Sequence, residues 1–237
     1  MSDAEALAGF IDKWRERWPE WRIAEVFVPP HLRGTSVAWF ALQQELAEAA
    51  WGGSDPRPGE AKLSWWAEEL QGWSQGRRRH PLGLVLQRLP APWLRLAASV
   101  PALIASRESS AGREQAFETI APVALAISTI DAAVFDAAPA DGNNANTLLA
   151  LQLLALGVAA VPLQVRARIG NDDADLAARA WAGDLLQAWP VAAGARPLRL
   201  REALLRERLR RFAAGGARLQ PVPALATLRA AWRAARG

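Results

Sequence analysis

The sequence predicts an all-α, single-domain protein spanning residues 1–237, and three observations carry that prediction. No window shows the period-two alternation of apolar and polar residues that marks a half-buried strand. Alanine and leucine fill most windows between punctuation marks, which suits helix formation and close helix packing. Glycine and proline clusters separate those windows, and no glycine-rich phosphate loop or internal repeat breaks the pattern.

The elements follow in order. Trp14, Trp18 and Trp21 recur at i, i+4 and i+7, one helical face interrupted by Pro19. A helix at 37–51 follows an N-cap at Ser36, or at Thr35 if it starts earlier, and Gly52-Gly53 with the run DPRPG stops it. A second helix, 60–73, ends before Gly76. Shorter segments at 81–89 and 94–107 are set apart by Pro90 and Pro92. Two long segments follow at 112–136 and 146–168, where Pro122 and Pro162 would kink or divide them. Segments 173–188, 198–213 and, after Gly215-Gly216, 224–235 complete the series. Asp172, Asp173 and Asp175 follow Gly170-Asn171 and mark a helix N-terminus, where acids are favoured.

Composition narrows the function classes. Half of the residues are apolar (51%) and 22% are charged, as in a folded chain with a substantial core. The formal charge of +4 is carried by arginine, for Lys13 and Lys62 are the sole lysines. Absence of cysteine excludes thiolate nucleophiles, disulfides and cysteine-ligated metal. MSDAEALAGF is acidic and has no signal-peptide pattern, and the longest apolar run, 148–161, is shorter than the roughly 20 residues of a spanning helix. The expectation is a cytoplasmic protein, with peripheral membrane contact left open. Glu202 and Glu207 blunt the arginine-rich face of RLREALLRERLRRF, and no recognised motif accompanies it, so no nucleic-acid partner is expected.

Among the acids, Glu45 and Glu48 form the one i, i+3 pair on a helical face in a mostly apolar neighbourhood, the geometry that brings two carboxylates to one cation or to a solvated face. Arg77–Arg79 with His80 sit after a glycine and before a proline, as an exposed loop able to meet phosphate. Trp65, Trp66 and Trp73 cover more than one helical face, which suits core packing. His31 and His80 would need carboxylates to complete a zinc site.

Read in order, three blocks resemble the squalene/phytoene synthase family of head-to-head prenyl transferases. VFVPPHLRGTSVAWFALQQELAEAAW is similar to the family's opening block and first aspartate-rich helix. GEAKLSWWAEELQGW with RRRHPLG is similar to its basic-aromatic helix and following turn, and LLQAWPVAAGARPLRLREALL to a late leucine-rich block. These anchors span residues 26–205, with weaker resemblance after 205. The resemblance implies an isoprenoid-synthase-like helical bundle with a central apolar cavity, in which acids hold magnesium and arginines help bind diphosphate.

Both aspartate-rich motifs of that pattern are lost. QQELAEAAW offers Glu48 near one expected acid and Trp51 at another, and AGDLLQAW leaves Asp184 alone. FALQQELAEA with KLSWWAEEL looks more like a divergent branch that includes a mitochondrial respiratory complex I assembly factor. The implied protein is catalytically degenerate, has no catalytic residue and no cofactor, and binds an isoprenoid, another amphipathic lipid or a protein partner. On that reading Arg33, Arg79, His80 and Arg196 contact the anion, and Trp39, Trp65 and Trp66 line or support the cavity. The alternative is an active magnesium-dependent prenyl transferase in which Glu45, Glu48 and Asp184 hold the metal around prenyl diphosphate. A scaffold whose pocket is filled by side chains is a third reading.

Overall fold

Helices make up about three quarters of the chain (76%), and their order sets where the charged side chains meet. The structure is a computed structural model, and it describes residues 2–138, 143–169 and 174–236. The helices are α1 (Asp3–Arg17), α2 (Trp21–Ala24), α3 (Arg33–Trp51), α4 (Arg57–Ser74), α5 (Gly83–Leu86) and α6 (Trp93–Ala105). They continue with α7 (Arg113–Phe135), α8 (Asn143–Leu156), α9 (Leu163–Ile169), α10 (Ala174–Gln187), α11 (Arg196–Ala213) and α12 (Ala224–Arg236). No strand occurs among the described residues. Buried apolar side chains form one continuous cluster from Trp14 to Ala231.

Local chemistry explains the boundaries. α1 opens on a capping box, in which the Ser2 hydroxyl accepts from the Glu5 amide and the Glu5 carboxylate from the Ser2 amide. Pro19 ends that helix, so Trp14, Trp18 and Trp21 straddle a turn, yet all three are buried. α3 starts three residues before the expected cap at Ser36, whose hydroxyl instead bonds back to the Leu32 carbonyl at 2.6 Å, inside the first turn. α4 starts at Arg57 with Pro58 in its first turn, a position that suits proline. The expected segment 81–89 contracts to the single turn of α5.

Pro122 is accommodated within α7, which runs unbroken to a left-handed Asp136 (φ 47°). The expected helix 146–168 is divided instead. Gly157 (φ 62°) and Pro162 separate α8 and α9, whose axes differ by 59°. The N-terminus expected at Asp172 and Asp173 lies outside the described residues, while Asp175 sits in the first turn of α10. By length and composition α7 could cross a membrane, as could the bent pair 144–160 and 163–169 taken together, but half of the α7 apolar window is buried against neighbouring helices.

One buried ion pair joins the two ends of the chain. Glu20, in the turn between α1 and α2, receives Arg208 of α11 through two bonds of 2.7 and 2.6 Å. The same carboxylate accepts the Val222 amide at 2.8 Å, and Arg208 also donates to the Arg17 carbonyl. Its guanidinium lies 4.0 Å from the Trp18 ring centre. The pair is bidentate and almost fully buried, so losing one partner leaves an uncompensated charge. We expect R208A to lower the unfolding free energy by about 3–5 kcal/mol in urea denaturation. A loss below about 1 kcal/mol would show that the pair is solvated.

Candidate functional site: a cation-filled carboxylate pair beside a groove

α3 turns Glu45 and Glu48 toward α1 and α4. The Lys13 ammonium of α1 sits between them, 2.7 Å from Glu45 Oε1 and 3.0 Å from Glu48 Oε2. Lys62 of α4 donates to Glu45 Oε2 at 2.6 Å. Arg17 lies 3.1 Å from Glu48 Oε1, to which Gln44 also donates. Each of the four carboxylate oxygens therefore has a donor. Burial works against ionisation of Glu45, but the two lysines outweigh it and hold its carboxyl below the usual range. Burial likewise disfavours the Lys13 ammonium, and Glu45 with Glu48 more than offsets it, so its pKa is raised.

This arrangement changes the reading of the three acids considered for magnesium. Glu45 and Glu48 bind the chain's own cations, and a metal would have to displace an ammonium. Asp184 lies on α10 and pairs with Arg168 of α9 at 3.1 Å. Among the described residues no group of three or more histidine or acidic side chains is placed to hold a metal ion.

A groove of about 940 Å³ opens next to the pair. Its charged lining is balanced: Glu16, Glu48 and Asp55 face Arg17, Lys62 and Arg208. Leu151, Leu154 and Ala155 of α8 add an apolar wall, with Leu219 and Pro221 beside it. The indoles of Trp18 and Trp51 lie beneath, both almost fully buried. Arg107 fixes the floor by donating to the carbonyls of Ala50, Gly52 and Gly53, which the end of α3 leaves without helical partners. Gly59 meets the Ala49 carbonyl so closely that any Cβ would collide with it, which brings the start of α4 against the end of α3.

None of the seven residues expected to bind the ligand lines this groove. Arg33 donates to the Val28 carbonyl at 3.1 Å, and Arg196 is exposed at the start of α11. Trp66 is fully buried, and half-buried Trp65 carries the Arg79 guanidinium 5.3 Å above its ring. Arg77, Arg78 and Arg79 are exposed as expected, but His80 is buried between Phe10 and Trp66, with ring centres 4.3 and 4.5 Å away. Burial pushes its pKa down to about 4, so the ring is neutral at pH 7, and its Nδ1 accepts the Leu82 amide. His80 is a packed turn residue rather than an anion contact.

The loop is shaped by Glu69. Its carboxylate accepts from the Arg79 and His80 amides at 2.7 and 2.8 Å, from the Trp73 indole at 2.8 Å and from Arg79 Nε at 3.1 Å. Burial raises its pKa, and those four donors more than reverse the effect. Arg79 is thus committed to Glu69 and, more loosely, to Glu68.

A second polar group lies inside the bundle. Trp39 donates to Asp131 Oδ1 at 2.7 Å and Asn144 to Oδ2 at 3.0 Å, while Arg201 donates to Gln43 at 2.6 Å. These side chains come from α3, α7, α8 and α11, and Asp131, Asn144 and Arg201 border a void of about 30 Å³. That volume suits about one water molecule. Burial pushes Asp131 up to about 6 despite its two neutral donors and the Arg201 charge, and lowers Arg201 to about 10.

No protein-family model matches the chain, and no curated protein matches it significantly. Fold and site together define an all-helical protein with an ammonium-filled carboxylate pair at the edge of a large groove.

The buried carboxylates generate two pH-dependent expectations. E69A leaves two amides and an indole without their acceptor, and should cost about 3 kcal/mol at pH 7. Because Glu69 is held below its ordinary range, that difference should shrink as pH falls below the ordinary glutamate value. Asp131 has the opposite sign. Its raised pKa means the folded state holds the proton more tightly, so its stabilising contribution falls as pH rises from about 4 to about 6. The stability of wild type relative to D131N should drop over that interval, by at most about 3 kcal/mol, and stay level above it. A flat difference from pH 4 to 7 in urea denaturation would rule out the raised value.

Proposed function

We propose that this chain is a catalytically degenerate relative of the squalene/phytoene synthases, with an isoprenoid-synthase-like arrangement of helices, that holds an amphipathic ligand without magnesium. The observation that carries the reading is the Lys13 ammonium between Glu45 and Glu48, next to a groove large enough for a lipid tail. An i, i+3 carboxylate pair is where a helical diphosphate site would gather its cation. Here the chain supplies that cation itself, as the ammonium of Lys13.

Ligand binding would then divide between two parts of the groove. The wall of Leu151, Leu154 and Leu219 suits an isoprenoid or other hydrocarbon chain. Lys62 and Arg17 lie at the charged side and would meet an anionic headgroup, each retaining donors beyond those given to Glu45 and Glu48. The balanced charge of the lining favours a headgroup of low charge over a bare diphosphate. The active-transferase reading requires Glu45, Glu48 and Asp184 to share metal ions, and all three carry basic partners from other helices.

The test is the thermal unfolding midpoint titrated with farnesyl diphosphate and, separately, with farnesyl monophosphate, each in magnesium and in chelator. We expect stabilisation by the monophosphate that is the same in both conditions and is lost in L151D. A rise with the diphosphate that appears only in magnesium would replace this reading with the enzymatic one. No response to either compound would remove the prenyl ligand and leave the groove to other occupants.

A further inference from the structure

α12 presents a face that the groove does not use. Thr227 and Ala231 are buried against the body of the protein, where α12 touches α11 and α2. On another side Leu225, Leu228 and Trp232 stand 72%, 44% and 46% exposed. At i, i+3 and i+7 they fall within an arc of about 60°. Arg229, Arg233 and Arg236 follow directly around the helix, and the Arg236 guanidinium lies 3.6 Å from the Trp232 ring centre. The sequence ALATLRAAWRAAR contains no acid. None of the three apolar side chains lines any of the described cavities, so the stripe stands out from the surface instead of flooring a cleft.

The charge behind the stripe has the same sign. Between α11 and α12 runs a groove of about 550 Å³ with six arginines and two glutamates in its lining. Arg229 and Arg233 border both this groove and the stripe, so the apolar ridge carries a net positive flank. A second copy of the chain seated on the same face would bring Arg229, Arg233 and Arg236 against their own equivalents, with no acid on the helix to separate them. A flat anionic lipid surface matches both the apolar ridge and the positive flank.

We propose that α12 is a membrane-surface helix. It lays Leu225, Leu228 and Trp232 into the headgroup–acyl boundary of an anionic bilayer and sets Arg229, Arg233 and Arg236 on the lipid phosphates. Tryptophan suits this boundary because its ring is apolar and its indole N–H is polar, and the stacked Arg236 places a cation at the same depth. The site is independent of the ligand groove beside α3.

The test is co-sedimentation of the full chain with vesicles of phosphatidylcholine alone and with roughly a third phosphatidylglycerol, at near-physiological salt. The protein should bind the mixed vesicles and leave the neutral ones. L225S/L228S/W232S should weaken partitioning at least tenfold by order of magnitude, with the helical circular-dichroism signal and melting curve retained because all three side chains are exposed. R229Q/R233Q should lower binding to the mixed vesicles and reduce its salt dependence. Failure to bind mixed vesicles, or equal binding by both variants and wild type, overturns the proposal. So does self-association in sedimentation velocity that the triple variant abolishes, which would assign the face to a second copy.

Discussion

Both lysines of this arginine-rich chain converge on one buried carboxylate. Glu45 has a side chain only 6% exposed, and an ionised carboxylate at that depth needs hydrogen-bond donors or opposite charge on each oxygen. Lys13 and Lys62 supply it from α1 and α4, helices that sandwich α3 at this level. Residue type matters here. An ammonium is compact and carries three donors, so Lys13 fits between Glu45 and Glu48 and serves both, whereas a planar guanidinium would bind one carboxylate edge on. The charged contacts of α1 and α4 with α3 and the fate of the acidic pair follow from that one requirement.

The same rule, applied with different donors, sets the other buried acids. Glu20 and Glu69 each hold a segment that lacks helical hydrogen bonds, the stretch around Val222 and the turn at 79–80, by accepting backbone amides together with an arginine. Asp131 differs because it has two direct donors, Trp39 and Asn144, where Glu69 has four, and Arg201 acts on it only at longer range. Desolvation therefore wins at Asp131 and loses at Glu69. One chain thus contains a carboxyl held below its ordinary range and another held above it, separated by how many donors each gathers against the cost of burial.

Local signals were legible in the sequence, and distant pairings were not. Helix identity followed from alanine and leucine content, and the break at Pro162 from proline chemistry, with Gly157 completing it. Ser2 and Glu5 form an S-x-x-E capping box, a signal present in the sequence that would have located α1. Ser36 looked like a cap because hydroxyls favour that position, but a hydroxyl inside a first turn can bond back to the carbonyl four residues earlier, as it does to Leu32. His80 looked exposed beside three arginines because sequence does not reveal that Glu69 pulls the backbone of the loop inward. The site itself depends on partners 32 and 17 residues apart in Lys13–Glu45 and Lys62–Glu45, beyond any helical period. Its sequence clues were the i, i+3 pair Glu45 and Glu48 and the scarcity of lysine.

What an ammonium cannot do limits the chemistry that remains. A magnesium ion held by two carboxylates keeps open coordination positions for phosphate oxygens, so the metal joins protein and ligand. Lys13 has three N–H donors and gives two to Glu45 and Glu48, leaving one at most. Lys62 gives one to Glu45 and keeps two, and it borders the groove. The positive charge near α3 therefore neutralises the acids first and reaches outward with little to spare. On the proposed reading that spare charge suits a headgroup of low charge better than a departing diphosphate, whose charge grows as the bond breaks. Glu45 and Glu48 act as an internal strut between α1, α3 and α4, and on the proposed reading the groove beside them holds a ligand in place.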